Sequence, residues 1–153
     1  MIINHPILAV FKGESLLLVG RTRKYGSAVI LDISLWVEIM SDDLFLKIIS
    51  REIPADIVFE NDDVLAFRDV NPQAPLHVLI IPKVRIPTIN DMQVKDAELF
   101  GKLFLAAQQI AAEQGIAEEG YRVVMNCNSG AGQTVFHVHL HLLGGRVFKW
   151  PPG

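Results

Sequence analysis

Phe136-His137-Val138-His139-Leu140-His141-Leu142 sets three histidines at every second position, with an apolar residue between each pair. In an extended strand successive side chains point to opposite faces, so the imidazoles share one face and Val138, Leu140 and Leu142 the other. The apolar face belongs to a core. The other carries three titratable rings, each of which a purely structural strand would have to supply with hydrogen-bond partners. Immediately upstream, Asn128-Ser129-Gly130-Ala131-Gly132-Gln133-Thr134 is a small-residue, amide-rich loop, suited to bringing backbone N–H groups close to an anion. It lacks the Gly-Lys-Ser/Thr ending and following helix of a P-loop, and an ordinary polar connection is the plain alternative. Together the loop and the same-face histidines point to chemistry at phosphorus.

Two chemistries compete for the histidines. A rise of ~3.3 Å per residue separates neighbouring imidazoles of the row by ~6.6 Å and the outer pair by ~13 Å. Two neighbours can share a zinc ion, but the outer pair of a straight strand cannot easily join them, and no Cys pair or His-Glu helical motif nearby completes a ligand set. Covalent catalysis asks less of the geometry. The central His139 attacks phosphorus while its neighbours orient it and bind phosphoryl oxygens. That reading uses all three positions and needs no metal or other cofactor.

The surrounding text is that of an α+β domain with about five strands in a mainly antiparallel sheet and two helices. Ser41-Asp42-Asp43 reads as a helix start, followed by Leu44, Phe45, Ile48 and Ile49 at helical spacing and bounded by Pro54. Ile57–Glu60 and Val64–Asp69 flank the turn-forming Asn61-Asp62-Asp63, and His77–Ile81 is a buried strand ended by Pro82. Asp96 to Gln114 is a helix whose stripe is Leu99, Phe100, Leu103, Ala107, Ile110 and Ala111, with Gly115 suited to its C-terminal cap. Tyr121–Asn126 and Val135–Leu143 are the last two strands. Phe45, Ile48, Ile53, Phe67 and Val70 are placed to form an apolar slot for a base, with ordinary core packing as the alternative. Asp69 can accept hydrogen bonds from a ribose diol, or else serve as a strand-end turn residue or partner of Arg68.

Residues 1–39 read differently. Their runs Ile7–Phe11, Leu16–Val19 and Ala28–Val37 are apolar without a clear period, and they carry four basic against three acidic residues, whereas the remainder carries ten against fourteen. The expected division is an N-terminal extension over 1–39 and the histidine-bearing domain over 40–153. Translation starting at Met40 is one expectation for that break; a strand-forming appendage is the other.

Bulk composition narrows the partners. The 153 residues are 50% hydrophobic and 20% charged, with mean hydropathy +0.32, enough for one sizeable core. A net charge of −3 and a pI near 5.9 leave no broad basic surface for nucleic acid. Cys127 is the only cysteine, which excludes an internal disulfide. No apolar run reaches the ~18 residues of a membrane span. Met1–Val10 has no basic region ahead of its apolar residues and no cleavage site follows, so the cytoplasm is the expected location.

The row His137-Val138-His139-Leu140-His141-Leu142-Leu143 resembles the signature of the histidine triad superfamily, three histidines alternating with apolar residues. Phe45 with Lys47-Ile48-Ile49, Glu52-Ile53-Pro54-Ala55, Asn71-Pro72-Gln73-Ala74-Pro75 with His77, Ile81-Pro82-Lys83, Gly132-Gln133, Gly144-Gly145-Arg146 and Trp150-Pro151-Pro152-Gly153 are similar to its nucleotide-binding branch, across roughly 42–153. The resemblance implies a homodimer that binds purine nucleoside monophosphates and hydrolyses nucleoside 5′-phosphoramidates. It implies His139 as nucleophile, His137 and His141 as its flanking pair with His141 near the phosphate, and His77 as a fourth supporting histidine. It further implies Asp69 on the ribose with Val70 beside it, and Asn126, Gly132, Gln133 and Thr134 on phosphate or ribose. Phe45, Ile48, Ile53 and Phe67 sandwich the base in this reading. Thr134 stands where the branch commonly has serine, Ala131 where glycine is frequent, Phe136 where tyrosine is common and Lys149 where histidine is common. These departures bear on substrate preference more than on reaction class. Dinucleoside polyphosphate hydrolysis, a non-catalytic nucleotide sensor and a zinc-binding regulator are the rival accounts.

Overall fold

The structure, a computed structural model, describes residues 8–12, 15–19 and 44–152. The chain divides into two compact units, Met1–Met40 and Ser41–Gly153. In the first, β1 (Leu8–Lys12) and β2 (Ser15–Val19) pair as an antiparallel hairpin with Leu8 opposite Val19 and Lys12 opposite Ser15. The expected helix start at Ser41-Asp42-Asp43 and the start at Met40 lie outside the described residues, as does the run 28–37.

The second unit is built on one sheet. Its strands β3 (Ile57–Glu60), β4 (Val64–Arg68), β5 (Leu76–Pro82), β6 (Arg122–Val124) and β7 (Leu140–Gly144) lie in the order β3-β4-β5-β7-β6, every pairing antiparallel. With α1 (44–49) and α2 (Ala97–Glu113), the expected α+β architecture is the one observed. β5 is central and buried along its whole length, because both faces of the sheet are covered. Val64, Ala66, Leu76, Val78, Ile80, Leu140 and Leu142 pack with Leu103, Ala106, Ala107, Ile110 and Ala111 of α2. On the opposite face Leu65, Phe67, Leu79 and Ile81 pack with Phe45 and Ile48 of α1 and with Val135. The period-2 alternation of three strands thus sorts side chains between two apolar layers.

α2 follows the expected stripe, with Ala106 added and Leu99 and Phe100 only half buried. Its end is set by Gly115 at φ +70°: Gly115 N–H donates to Ala112 O and Ile116 N–H to Ala111 O, a paired closure that a left-handed residue permits. Nothing stands within 4 Å of a Cβ built on Gly115, so Gly115→Ala carries backbone strain alone. It is expected to lower stability by about 1 kcal/mol in a urea melt. α1 ends well before Pro54: Arg51 turns left-handed at φ +66° and its N–H donates to Ile48 O.

The last strand departs from expectation. β7 begins at Leu140, so Val135–His139 is not strand and only His141 of the three histidines sits in the sheet. The backbone upstream is bonded elsewhere: His137 N–H donates to Val135 O (2.9 Å) and Val138 N–H to Ile86 O (2.7 Å). The last β5 partner of β7 is Ile80, opposite Leu140, and Pro82 at the end of β5 has no N–H with which to continue a ladder.

Candidate functional site

Four histidines meet on the α1 face of the sheet. His141 pairs with Leu79 and His77 with Leu143 across β5 and β7, which puts both rings on one face and sets His77 Nε2 2.9 Å from His141 Nδ1. The row continues to His139, whose ring lies 4.9 Å from that of His141, centroid to centroid, at 68°. Phe45 of α1 meets both remaining rings edge-on, at 5.3 Å from His139 and 5.8 Å from His137. A same-face arrangement therefore survives although most of the segment is not a strand.

Hydrogen-bond partners fix where each proton sits. His139 Nδ1 lies 2.8 Å from the His137 carbonyl, an acceptor only, so Nδ1 carries the hydrogen and Nε2 keeps a free lone pair. His137 Nε2 donates in the same way to Pro82 O at 2.8 Å. His77 Nδ1 accepts the Gln73 main-chain N–H at 3.2 Å, which leaves its hydrogen on Nε2, facing His141 Nδ1 and, at 3.5 Å, Asp69 Oδ2. His141 must then carry its hydrogen on Nε2, a buried atom with no partner. Two ring nitrogens thus keep unpaired lone pairs, His139 Nε2 and the buried His137 Nδ1, and one donor is unpaired, the buried His141 Nε2–H. His137 is wholly buried, and its carbonyl, by accepting from His139 Nδ1–H, orients the His139 ring.

Burial keeps all four rings neutral near pH 7. It pushes His137 down to about 4, against the Pro82 carbonyl bond and with help from Arg85 and His139. It pushes His141 to about 4 as well, aided by His139 and His77 and opposed by Asp69. His139 and His77 are lowered too, burial again leading, with the His137 carbonyl and Asp69 opposing in the first and Asp69 in the second. Because these values lie below the unfolded 6.5, the unfolded chain takes up protons first on acidification. Histidine-linked stability is therefore complete above about pH 6.5 and falls as pH drops towards about 4. The expected result is a urea midpoint that declines across that window; a flat midpoint there would mean that the rings are charged in the fold.

A cavity of about 650 Å³ opens beside the histidines, lined by Phe45, Ile48, Ile53, Phe67, Asp69 and Val70 as the sequence suggested. Leu44, Pro54, Ala55, Asp56, Arg68 and Leu79 also line it and were not singled out; their signal was only proximity to the others along α1, β4 and β5. Phe45 and Phe67 stand edge to face at 5.6 Å. Asp69 sits at the mouth with Oδ1 accepting the Asn71 N–H (2.8 Å) and Oδ2 turned towards His77.

The loop is arranged differently from expectation. Ser129–Ala131 forms a single helical turn, and the Ala131, Gly132 and Gln133 N–H groups donate back to Asn128 O, Ser129 O and Asn128 O. Gln133 is 2% exposed; its side chain accepts from Asn128 N–H (2.8 Å) and donates to Pro87 O (2.7 Å) and Val135 O (3.1 Å). Gln133 and Gly132 therefore brace the loop, and a phosphate contact through their polar groups would have to displace these bonds. Thr134 is exposed and its main-chain N–H donates no bond within the described residues. Left-handed φ falls on Asn128 (+67°) and Gly132 (+90°), not on Ala131, so alanine there costs the loop nothing. Asn126 lies under Gly132, its Nδ2 3.9 Å from where a Cβ on that glycine would stand.

Asp69, His77 and His141 bring ligand atoms within 4.8 Å of one another, a grouping that could hold a cation. Binding would require His77 to offer Nε2 as a lone pair and so to carry its hydrogen on Nδ1, against the N–H of Gln73.

Residues 50–148 match the HIT domain family. The chain belongs to that family. A HIT-domain relative from Escherichia coli (strain K12), purine nucleoside phosphoramidase, is 53% identical over 105 residues, 69% of this chain and 88% of the relative. Adenylylsulfatase HINT1 of Arabidopsis thaliana is 46% identical over 115 residues, 74% of this chain and 78% of its own. Among solved structures, a HIT family hydrolase from Legionella pneumophila Philadelphia 1 superposes with TM-score 0.71 at 56% identity, covering 72% of this chain and 98% of that one. Another, from Clostridium thermocellum, gives 0.68 at 47% identity, covering 69% and 92%.

Proposed function

We propose that this HIT-domain protein hydrolyses purine nucleoside 5′-phosphoramidates through a nucleotidyl-histidine on His139. The observation that carries the reading is the free Nε2 of a neutral, oriented His139 beside an apolar cavity with a carboxylate at its mouth. The purine lies between Phe45, Ile48, Ile53 and Phe67, and the ribose hydroxyls bond to Asp69, with Val70 beside them. His139 Nε2 attacks the α-phosphorus, the P–N bond breaks, and the departing amine takes a proton from the Thr134 hydroxyl or His141 Nε2. His141 Nε2–H and the Thr134 N–H donate to phosphoryl oxygens. Positive charge developing on the His139 ring strengthens its Nδ1–H bond to the His137 carbonyl, which helps the transition state more than the ground state. Water then attacks phosphorus and gives a proton back to the group that protonated the amine, the Nε2–P bond breaks, and the nucleoside monophosphate leaves with His139 neutral again. No step calls for a cofactor.

The 53% identity to a purine nucleoside phosphoramidase supports a nitrogen leaving group. A relative named adenylylsulfatase supports a second reading on the same machinery, with sulfate departing from AMP. The decisive experiment is to quench the full chain with adenosine phosphoramidate, with and without chelator, and weigh it intact. An adenylyl adduct on His139 that chelator does not alter is expected; turnover with no adduct on any histidine would sink the covalent mechanism. The same reading includes a homodimer, supported by β6 as an open sheet edge and by exposed Phe104 and Leu105 on α2, and light scattering on the purified chain tests it. No helix among the described residues is long and apolar enough to cross a membrane.

A further inference from the structure

His77 owes its tautomer to a turn of main chain. Between β4 and β5, Asp69 N–H donates to His77 O at 3.0 Å, Asn71 N–H to Asp69 Oδ1 at 2.8 Å, and Gln73 Nε2 to Asn71 O at 2.9 Å. These bonds fold residues 69–73 back on themselves and aim the Gln73 N–H at His77 Nδ1, 3.2 Å away. From the other side Arg146 Nε donates to Gln73 O at 3.3 Å, its guanidinium resting on the Phe148 ring 4.2 Å from the centroid. The main chain of Gln73 is thus held at its N–H and at its carbonyl.

The alternative tautomer meets two repulsions. A hydrogen on His77 Nδ1 would face the Gln73 N–H, and a bare Nε2 would turn its lone pair towards the Asp69 carboxylate 3.5 Å away. Either state of His77 dictates that of His141 through the 2.9 Å contact between them. With Nε2–H on His77, His141 accepts at Nδ1 and offers a donor at Nε2. With the other tautomer, a bare His77 Nε2 accepts from His141 Nδ1–H, and a divalent cation that displaces that one proton meets two imidazole lone pairs beside the Asp69 carboxylate.

We propose that the main-chain N–H of Gln73 is the positioning group that holds His77 and His141 in their Nε2–H tautomers, and that it thereby keeps the site a hydrogen-bond donor towards phosphate instead of a chelator of zinc. This deepens the hydrolase reading, yet its test needs no nucleotide. Nitrogen NMR on the full chain labelled at histidine reports which ring nitrogen is protonated, and chelator competition reports zinc affinity. Wild type is expected to show Nε2–H on His77 and His141 and Nδ1–H on His139. Gln73→Pro deletes the N–H; it is expected to give mixed tautomers at His77 and zinc binding at least about tenfold tighter, a gain that His141→Ala cancels. Gln73→Ala keeps the main-chain N–H and loses only the side-chain bond to Asn71 O, so it should keep Nε2–H on His77 and bind zinc much more weakly than Gln73→Pro. A wild-type spectrum with the hydrogen on His77 Nδ1 overturns the proposal outright, even if Gln73→Pro fails to fold. So does a folded Gln73→Pro variant with wild-type tautomers and zinc affinity. Loss of the phosphoramidase reading alone would leave these results standing.

Discussion

His139→Ala is expected to lower turnover of adenosine phosphoramidate by at least about 10³-fold, because no other ring presents a free lone pair for covalent attack. His137 donates from Nε2 to Pro82 O and keeps its bare Nδ1 buried, His77 Nδ1 accepts from the Gln73 N–H, and His141 Nδ1 accepts from His77 Nε2–H. AMP should still bind within about threefold of wild type, since the cavity proposed for the base and ribose is lined by Phe45, Phe67 and Asp69 and not by His139. The variant leaves the His137 carbonyl unpaired, at a cost of about 1–3 kcal/mol, which the fold must carry for the comparison to be clean. Initial rates, calorimetric AMP titration and a thermal melt of the same preparation separate these terms. Turnover within tenfold of wild type would refute the nucleophilic role.

Gln133→Glu is the second large effect, and it falls on the loop. The change is nearly isosteric, but the wild-type amide donates to two carbonyls, Pro87 O and Val135 O, through one nitrogen. A carboxylate oxygen in that place faces both carbonyls with no hydrogen to give, while buried at 2% exposure. The expected cost is about 3 kcal/mol or more, visible as a fall of roughly 10 °C in Tm. Turnover should fall with it, because Val135 leads directly into the turn that carries His137 and His139. Gln133→Glu melting within about 2 °C of wild type at neutral pH would show that this amide does not brace the loop.

Much of the fold was readable in advance because burial leaves a periodic trace. The two-layer sorting of β4 and β5 follows from the apolar runs at 64–67 and 76–82, and the α2 stripe from spacing closed by a glycine at its end. The cavity residues were legible for a similar reason: Phe45, Ile48, Ile53 and Phe67 are apolar positions clustered near a helix end and a strand. Main-chain hydrogen bonds leave no such trace. Nothing in Val135–His139 announces that Val138 N–H will donate to Ile86 O, far back in the chain, and so the strand was expected to start too early. The resemblance put Gln133 on phosphate or ribose, whereas the partners its amide has in the fold, Asn128 N–H, Pro87 O and Val135 O, depend on how two loops approach one another.

From the chain's order of residues alone came the family, the class of fold and the identity of the four histidines, because these rest on which side chains recur at which spacing. Only the folded molecule decided what each ring does. Proton placement on an imidazole depends on whether a donor or an acceptor lies against each nitrogen, and here those groups are carbonyls of His137 and Pro82 and the N–H of Gln73. All three are main-chain atoms, common to every residue type, so no letter of the sequence could have named them.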